Sequence, residues 1–211
     1  MLDLAISQKE ISMTKQNLVH SDKGILKAIY SRHSVRAYSS TPLDSTTIQT
    51  LLEAAVHAPT AMHEEPWAFV VVQNKQVLKQ LSDQAKPLFV EEARHRNAHG
   101  ATHSFEHFTR PDFDIFYGAG TLIIICAKPL SPFVPADCWL AAENLMLAAS
   151  AIGLGSCVIG SAVAALNFRK VKAELGIPEE YSAIAPIIAG VPSGETTATP
   201  RKDPMVLSWK Q

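Results

Sequence analysis

The chain has 211 residues, of which 47% are hydrophobic and 18% charged, and its formal net charge is −1. This suits one sizeable packed domain and argues against wholesale disorder. With no global positive field to draw the chain to nucleic acid or an anionic membrane, any anion site must be local.

Residues 1–21 are polar and weakly periodic. They read as an N-terminal arm ahead of a single domain over 22–211, and they lack the cationic and apolar regions of a secretory signal. In DKGILKAIYSRHS, Ile25, Leu26 and Ile29 share a helical face, with Asp22 placed to cap it. A second helix-period stripe, Ile48, Leu51, Leu52, Ala55 and Val56, runs between Asp44 and His57. Asp44 is its expected cap and Pro59 its stop. WAFVVVQN, 67–74, reads as a buried strand because its apolar run does not alternate. KQVLKQLSDQAKPLFVEEARHRNA follows as helix, broken or restarted at Pro87. The helical pattern lapses over 100–117, and the stretch of about 86–117 is expected to form a mobile cover.

GTLIIICAK is a second core strand, far short of the roughly 18 apolar residues of a membrane span. PADCWLAAENLMLAASAIGLG is apolar on most faces and predicts a central buried helix, with Gly153 and Gly155 as C-terminal glycines. SCVIGS predicts a short strand and a turn. NFRKVKAELGIP predicts a helix ended by Gly176 and Pro178, and YSAIAPIIAGVP another strand. In the tail TPRKDPMVLSWKQ, Pro200 and Pro204 oppose helix. Few strands, more helix and no strict βαβ beat predict an α+β fold, with helices packed around a mostly antiparallel sheet. Cys126, Cys138 and Cys157 are odd in number and lack zinc spacing, so they read as buried thiols of a cytoplasmic protein.

Four segments carry candidate chemistry. SRHSVRAY places Arg32 and Arg36 around Ser34, and PRKDP places Arg201 beside Lys202. Arginine forks and a hydroxyl suit phosphate oxygens, although any one of these arginines taken singly reads first as a solvated surface charge. APTAMHEEPW joins a helix to a strand through Thr60, His63, Glu64 and Glu65, either as a ligand-facing turn or as an ordinary connection. GLGSCVIGS resembles a phosphate loop, but its glycines follow a helix and lead into a strand, the reverse of a dinucleotide fingerprint. Gly160 leaves room for a flat ligand against the backbone.

Together these segments resemble the FMN-dependent nitroreductase family. Its R-x-S-x-R element is matched by Arg32-His33-Ser34-Val35-Arg36. Its P-S-x-x-N-x-Q-P-W turn is matched in part by Pro59-Thr60-Ala61-Met62-His63-Glu64-Glu65-Pro66-Trp67. Its Ala-rich helix ending G-L-G is matched by Ala141 to Gly155, then Cys157-Val158-Ile159-Gly160, and its late basic pair by Arg201-Lys202. The resemblance implies FMN as cofactor. Arg32, His33 and Ser34 would lie at the phosphate and ribityl chain, Arg36 at the pyrimidine edge, and Arg201 or Lys202 at the phosphate. Val158, Ile159 and Gly160 would lie near N5, with Pro59, Thr60, Ala61 and His63 in the turn. His63 and Glu65 replace the family's Asn and Gln. An ionised Glu65 cannot donate, so it is expected to face away or pair with an arginine.

The resemblance further implies an interlocked homodimer with FMN at the subunit interface. It implies an NADH- or NADPH-dependent oxidoreductase reducing a nitroaromatic, quinone or flavin-like acceptor by ping-pong kinetics, with no catalytic side chain beyond the cofactor. Two other readings stand beside it: a member specialised for one metabolite, such as a dehalogenating or flavin-fragmenting branch, and a non-catalytic FMN carrier or regulator. His103, Phe105, Phe108 and Phe113 are candidates to touch substrate. His95, His99, His103 and His107 recur every four residues, but each step overshoots a helical turn by about 40°, so no metal site is assigned to them.

Overall fold

The computed structural model describes residues 24–96, 107–194 and 200–210. The expected N-terminal arm and Asp22 lie outside the described residues. Helix α1, Gly24–Ser31, buries only Ala28. Ile25 and Ile29 do not enter the core as their shared stripe implied; they are exposed at 69% and 46%. A helix of eight residues against one neighbour offers a single contact line, and Ala28 occupies it.

Asp44 caps helix α2, Ser45–Val56, accepting the Thr47 backbone N–H at 2.9 Å and its hydroxyl at 2.7 Å. These two bonds hold the Asp44 carboxyl below the usual carboxylate range. Leu51 and Ala55 carry the buried face. Strand β1, Trp67–Val72, follows at the sheet edge and is not the buried strand its apolar run implied: only Val72 is buried and Val71 is exposed, because an edge strand is covered on fewer sides. Helix α3, Lys75–Arg96, continues through Pro87 without a break. Proline removes one helical hydrogen bond, but the flanking turns are fixed by tertiary contacts. Ala85 is buried, and the Lys86 ammonium donates to the carbonyls of Phe113 at 2.9 Å and Pro111 at 3.3 Å.

Strand β2, Thr121–Ala127, is buried at every position. Helix α4, Val134–Ala151, is central as expected. It is capped at Ile152 and released by Gly153 at φ +80°. Gly155 is not a helix-end residue; it opens strand β3, Gly155–Val158. A 3-10 turn, Gly160–Ala162, leads into a short helix α5, Val163–Leu166, absent from the sequence reading. Helix α6, Arg169–Leu175, ends on left-handed Gly176, and strand β4, Ser182–Gly190, closes the fold.

The four strands form one antiparallel sheet in the order β1-β2-β4-β3. Leu122, Ile124 and Cys126 pack on one face with residues of α3, α5 and α6. Ile123, Ile125 and Ala127 pack on the other with α2 and α4. Both faces are covered, which is why β2 reads as an unbroken apolar run. A register shift at Ile125/Cys126 moves Ala183 to the opposite face from Ala185. Burial also raises the thiols, Cys126 to about 11 and Cys138 to about 12, so they stay protonated. Among the described residues no helix is long and apolar enough to cross a membrane.

Candidate functional site

The R-x-S-x-R segment leaves α1 extended and runs beside the sheet. Ser34 bridges Ser156 in parallel, and the Val35 N–H donates to the Ser156 carbonyl at 3.1 Å. Farther on, Ser39 N–H donates to Val191 and Ser193 N–H to Ala37, each at 2.9 Å. Val35 is buried against Gly155, where an added Cβ would come within 2.8–2.9 Å of three Val35 side-chain carbons. Absence of a side chain at Gly155 therefore allows this segment to lie flat on β3. With Val35 facing inward, Ser34 and Arg36 point outward along an extended chain, and both are exposed.

Arg32 is mostly covered and its Nε lies 3.4 Å from the Glu143 carboxylate on α4. His33 donates from Nδ1 to the Ser31 carbonyl at 3.0 Å. Arg36 lines a cavity of about 560 Å³. Val158, Ile159, Gly160 and Phe108 share that lining, and so do Phe89, Glu92, Ile115, Tyr117 and Cys157. Ile159 is buried and its N–H is taken by the Pro186 carbonyl at 2.9 Å. At Gly160 an added Cβ would meet nothing within 4 Å, so the backbone is open to the cavity side. Cys157 is raised above the usual thiol range by burial, with Arg36, a Ser34 hydrogen bond and Arg32 opposing the rise.

The turn at 59–65 is built by α4. Buried Asp137, in its first turn, accepts the Ala61 N–H at Oδ1 over 3.1 Å, while its Oδ2 has no hydrogen-bond partner among the described residues. Met62, His63 and Glu65 all take positive φ, at +61°, +55° and +43°. Non-glycine residues rarely adopt this region, and three in one turn mark a strained, shaped surface. Pro59 and His63 are exposed and Thr60 is half-buried. Glu64 accepts the Ser131 hydroxyl at 2.9 Å. Glu65 is exposed and, among the described residues, forms no pair with an arginine.

Within one chain, then, the structure brings Arg36, Phe108 and Val158–Gly160 to one cavity. Arg32 and the 59–63 turn are tied instead to the same helix, α4. Arg201 and Lys202 lie exposed on the described tail. Phe113 packs edge-on to Phe108 and Tyr117, behind the cavity wall. His103, Phe105 and His99 fall outside the described residues. His95 lies 4.0 Å from Glu91, and the His107 ring packs on Phe108 and Phe113. The expected cover is divided: residues 86–96 complete α3, and 107–117 pack against it through Phe108 on Phe89 and through Lys86.

Sequence reasoning passed over Tyr117, Asp137 and Glu143. The two acids sit in a helix that reads as apolar all round, and isolated acids in such a run were the available signal. Tyr117 precedes Gly118 and gave no periodic signal.

Comparison with known proteins gives a consistent result. The family model described as the nitroreductase family matches residues 29–190. A relative from Archaeoglobus fulgidus, described as a putative NADH dehydrogenase/NAD(P)H nitroreductase, is 31% identical over 175 residues, 81% of this chain and 86% of the relative. The crystal structure of a nitroreductase with bound FMN from Bacteroides fragilis superposes with a TM-score of 0.70 at 29% identity, covering 86% of this chain and 98% of that one. An FMN-dependent nitroreductase from Clostridium difficile gives 0.69 at 25% identity, over 88% and 98%. The motif segments from Arg32 to Gly160 lie inside the matched span, Arg201-Lys202 lies beyond it, and the chain belongs to the nitroreductase family.

Proposed function

We propose that the protein is an FMN-dependent oxidoreductase that uses NADH or NADPH to reduce a small acceptor. The observation that carries this is the shared cavity of Arg36 and the open backbone at Gly160, with Arg32 and Ser34 following the same extended segment. This donor set fits FMN: guanidinium and hydroxyl groups for a phosphate tail, a cation for one ring edge, and a side-chain-free wall for a flat ring. When bound, FMN supplies hydride and electron transfer, taking reducing equivalents from the nicotinamide and passing them to a nitroaromatic, quinone or flavin-like acceptor in ping-pong order.

The protein's part is binding, orientation and charge. Arg32 and Ser34 hold the phosphate end, with Arg201 or Lys202 completing the clamp. Arg36 stabilises the negative charge that gathers at the pyrimidine edge on reduction. Backbone at Ile159 and Gly160 faces the ring. The 59–63 turn does not line the cavity of its own chain, which supports a homodimer in which each turn completes its partner's site.

Exposed apolar side chains support the same assembly. Ile25, Ile29 and Tyr30 on α1 join Trp139 and Leu140 on α4, and the tail exposes Met205, Val206, Trp209 and Leu207, the last at 91%. Exposed apolar side chains of this kind suit a subunit interface. We assign the protein to the cytoplasm on its three buried, unpaired thiols.

Two measurements test these readings. The purified protein is expected to be yellow, or to become so with FMN, and to bleach under anaerobic titration with NADH or NADPH. A protein that stays colourless after FMN addition and oxidises neither nucleotide overturns the assignment. Removing residues 200–211 is expected to convert dimer to monomer in light scattering and to weaken FMN binding roughly tenfold through loss of the basic pair. A truncated chain that remains dimeric with unchanged FMN affinity refutes the role given to the tail.

A further inference from the structure

Tyr117 stands at φ +53°, a region bulky residues seldom enter. The turn that holds it there is heavily tied. Asp114 accepts the Phe116 N–H at Oδ1 over 3.0 Å and the Gly118 N–H at Oδ2 over 2.9 Å. The Tyr117 N–H donates to the Asp114 carbonyl at 3.0 Å. Ile115 and Phe116 on its N-terminal side are fully buried anchors. A connection with no further task at this φ is satisfied by Gly or Asn. Here the position carries a phenol that lines the same cavity as Arg36. Its ring rests edge-on against Phe113, with centroids 5.7 Å apart.

Burial is the largest influence on the Tyr117 hydroxyl and raises its pKa, while Arg36 opposes the rise by charge and by hydrogen bonding. Burial likewise raises the Tyr38 hydroxyl, with the Arg36 charge opposing, and that phenol donates to the Val35 carbonyl at 2.8 Å. Of these two phenols, Tyr38 has its proton committed to the backbone, and Tyr117 lines the cavity with Arg36. Guanidinium can only donate, and a phenol oxygen can accept. A long, exposed arginine loses its rotamer freedom when such an acceptor holds it, and an arginine already held gives more electrostatic stabilisation than a mobile one.

We propose that Tyr117 is a positioning residue for Arg36, holding the guanidinium at the cavity wall where it meets the pyrimidine edge of bound FMN. The proposal rests on the flavin reading above and extends it to a residue outside the matched motifs. Neither strand nor helix positions Tyr117; the Asp114 turn does.

The test is Tyr117→Phe, which keeps the ring, its packing and the turn, and removes only the hydroxyl. The unloaded protein is expected to melt as the wild type does. The bound flavin is expected to lose about tenfold of its preference for the reduced over the oxidised form, a fall in midpoint potential of about 30 mV for a two-electron couple. In an Arg36→Ala background the same replacement is expected to add no shift, because the effect passes through Arg36. A potential equal to that of the wild type, or the same shift in both backgrounds, overturns the proposal. A wild-type protein that takes up no FMN overturns the flavin reading itself, so the two failures are told apart.

Discussion

Replacing Arg32 by alanine is expected to raise the FMN dissociation constant roughly ten- to hundredfold, the range for losing charge-assisted hydrogen bonds to a phosphate. The fold should tolerate the change. The Arg32 backbone N–H is held by the Ala28 carbonyl at 3.0 Å whatever the side chain, and among the described residues the guanidinium pairs with a half-exposed Glu143. That pair is a modest term in stability, because an ion pair open to water returns little. Its better-supported use is orientation: Glu143 keeps the side chain laid along α4. Arg32→Lys retains the charge but loses the planar fork, so it should recover only part of the affinity. Titrating flavin absorbance or fluorescence against the unloaded protein measures both variants. An alanine variant that binds FMN within twofold of the wild type would remove Arg32 from the site.

A second large effect is expected far from any charge. Gly155→Ala places a methyl within 2.8–2.9 Å of three carbons of Val35. Neither side can yield easily, since Gly155 is paired to Gly190 in the sheet and Val35 is in the core. Overpacking of this kind costs about 1–3 kcal/mol, which in a chain of this size lowers the melting temperature by several degrees. The strand is held along its length by β4, so the segment that moves should be the extended one carrying Ser34 and Arg36. FMN affinity is therefore expected to fall more steeply than stability. Adding Val35→Ala removes two of the three clashing carbons and should restore part of both. If the single variant melts and binds flavin as the wild type does, the packing of this segment on β3 is not what shapes the site.

The elements that were legible in the sequence share a cause. Continuous apolar runs gave β1, β2 and β4 because helices cover both faces of the sheet, and Asp44 and Gly176 marked helix ends because their local chemistry does not depend on distant residues. Pro87 misled for the opposite reason. Its local cost is real, yet Lys86 is fixed by the carbonyls of Pro111 and Phe113, contacts that no window of neighbours contains. The apolar face of α1 was legible as a stripe but not as a surface, since periodicity says which residues share a side and not what that side meets.

The candidate site divides in the same way. The residue types of the R-x-S-x-R element, the Thr60–His63 turn and the Val158–Gly160 stretch were carried by the sequence itself, and they were sufficient to place the chain in its family. Gly155 looked like a helix end when read in order and proved to be the floor beneath Val35, because only the bridge of Ser34 to Ser156 on β3 brings the two together. The roles of Asp137 beneath Ala61, Glu143 beside Arg32 and Tyr117 facing Arg36 were likewise decided by tertiary structure alone. Composition, caps and motif order depend on interactions within a few residues, which a chain states directly. Which polar group faces which across 76 or more positions, as between the Ala61 N–H and Asp137 or between Arg32 and Glu143, depends on how helices and sheet are stacked, and only the packed core settles that.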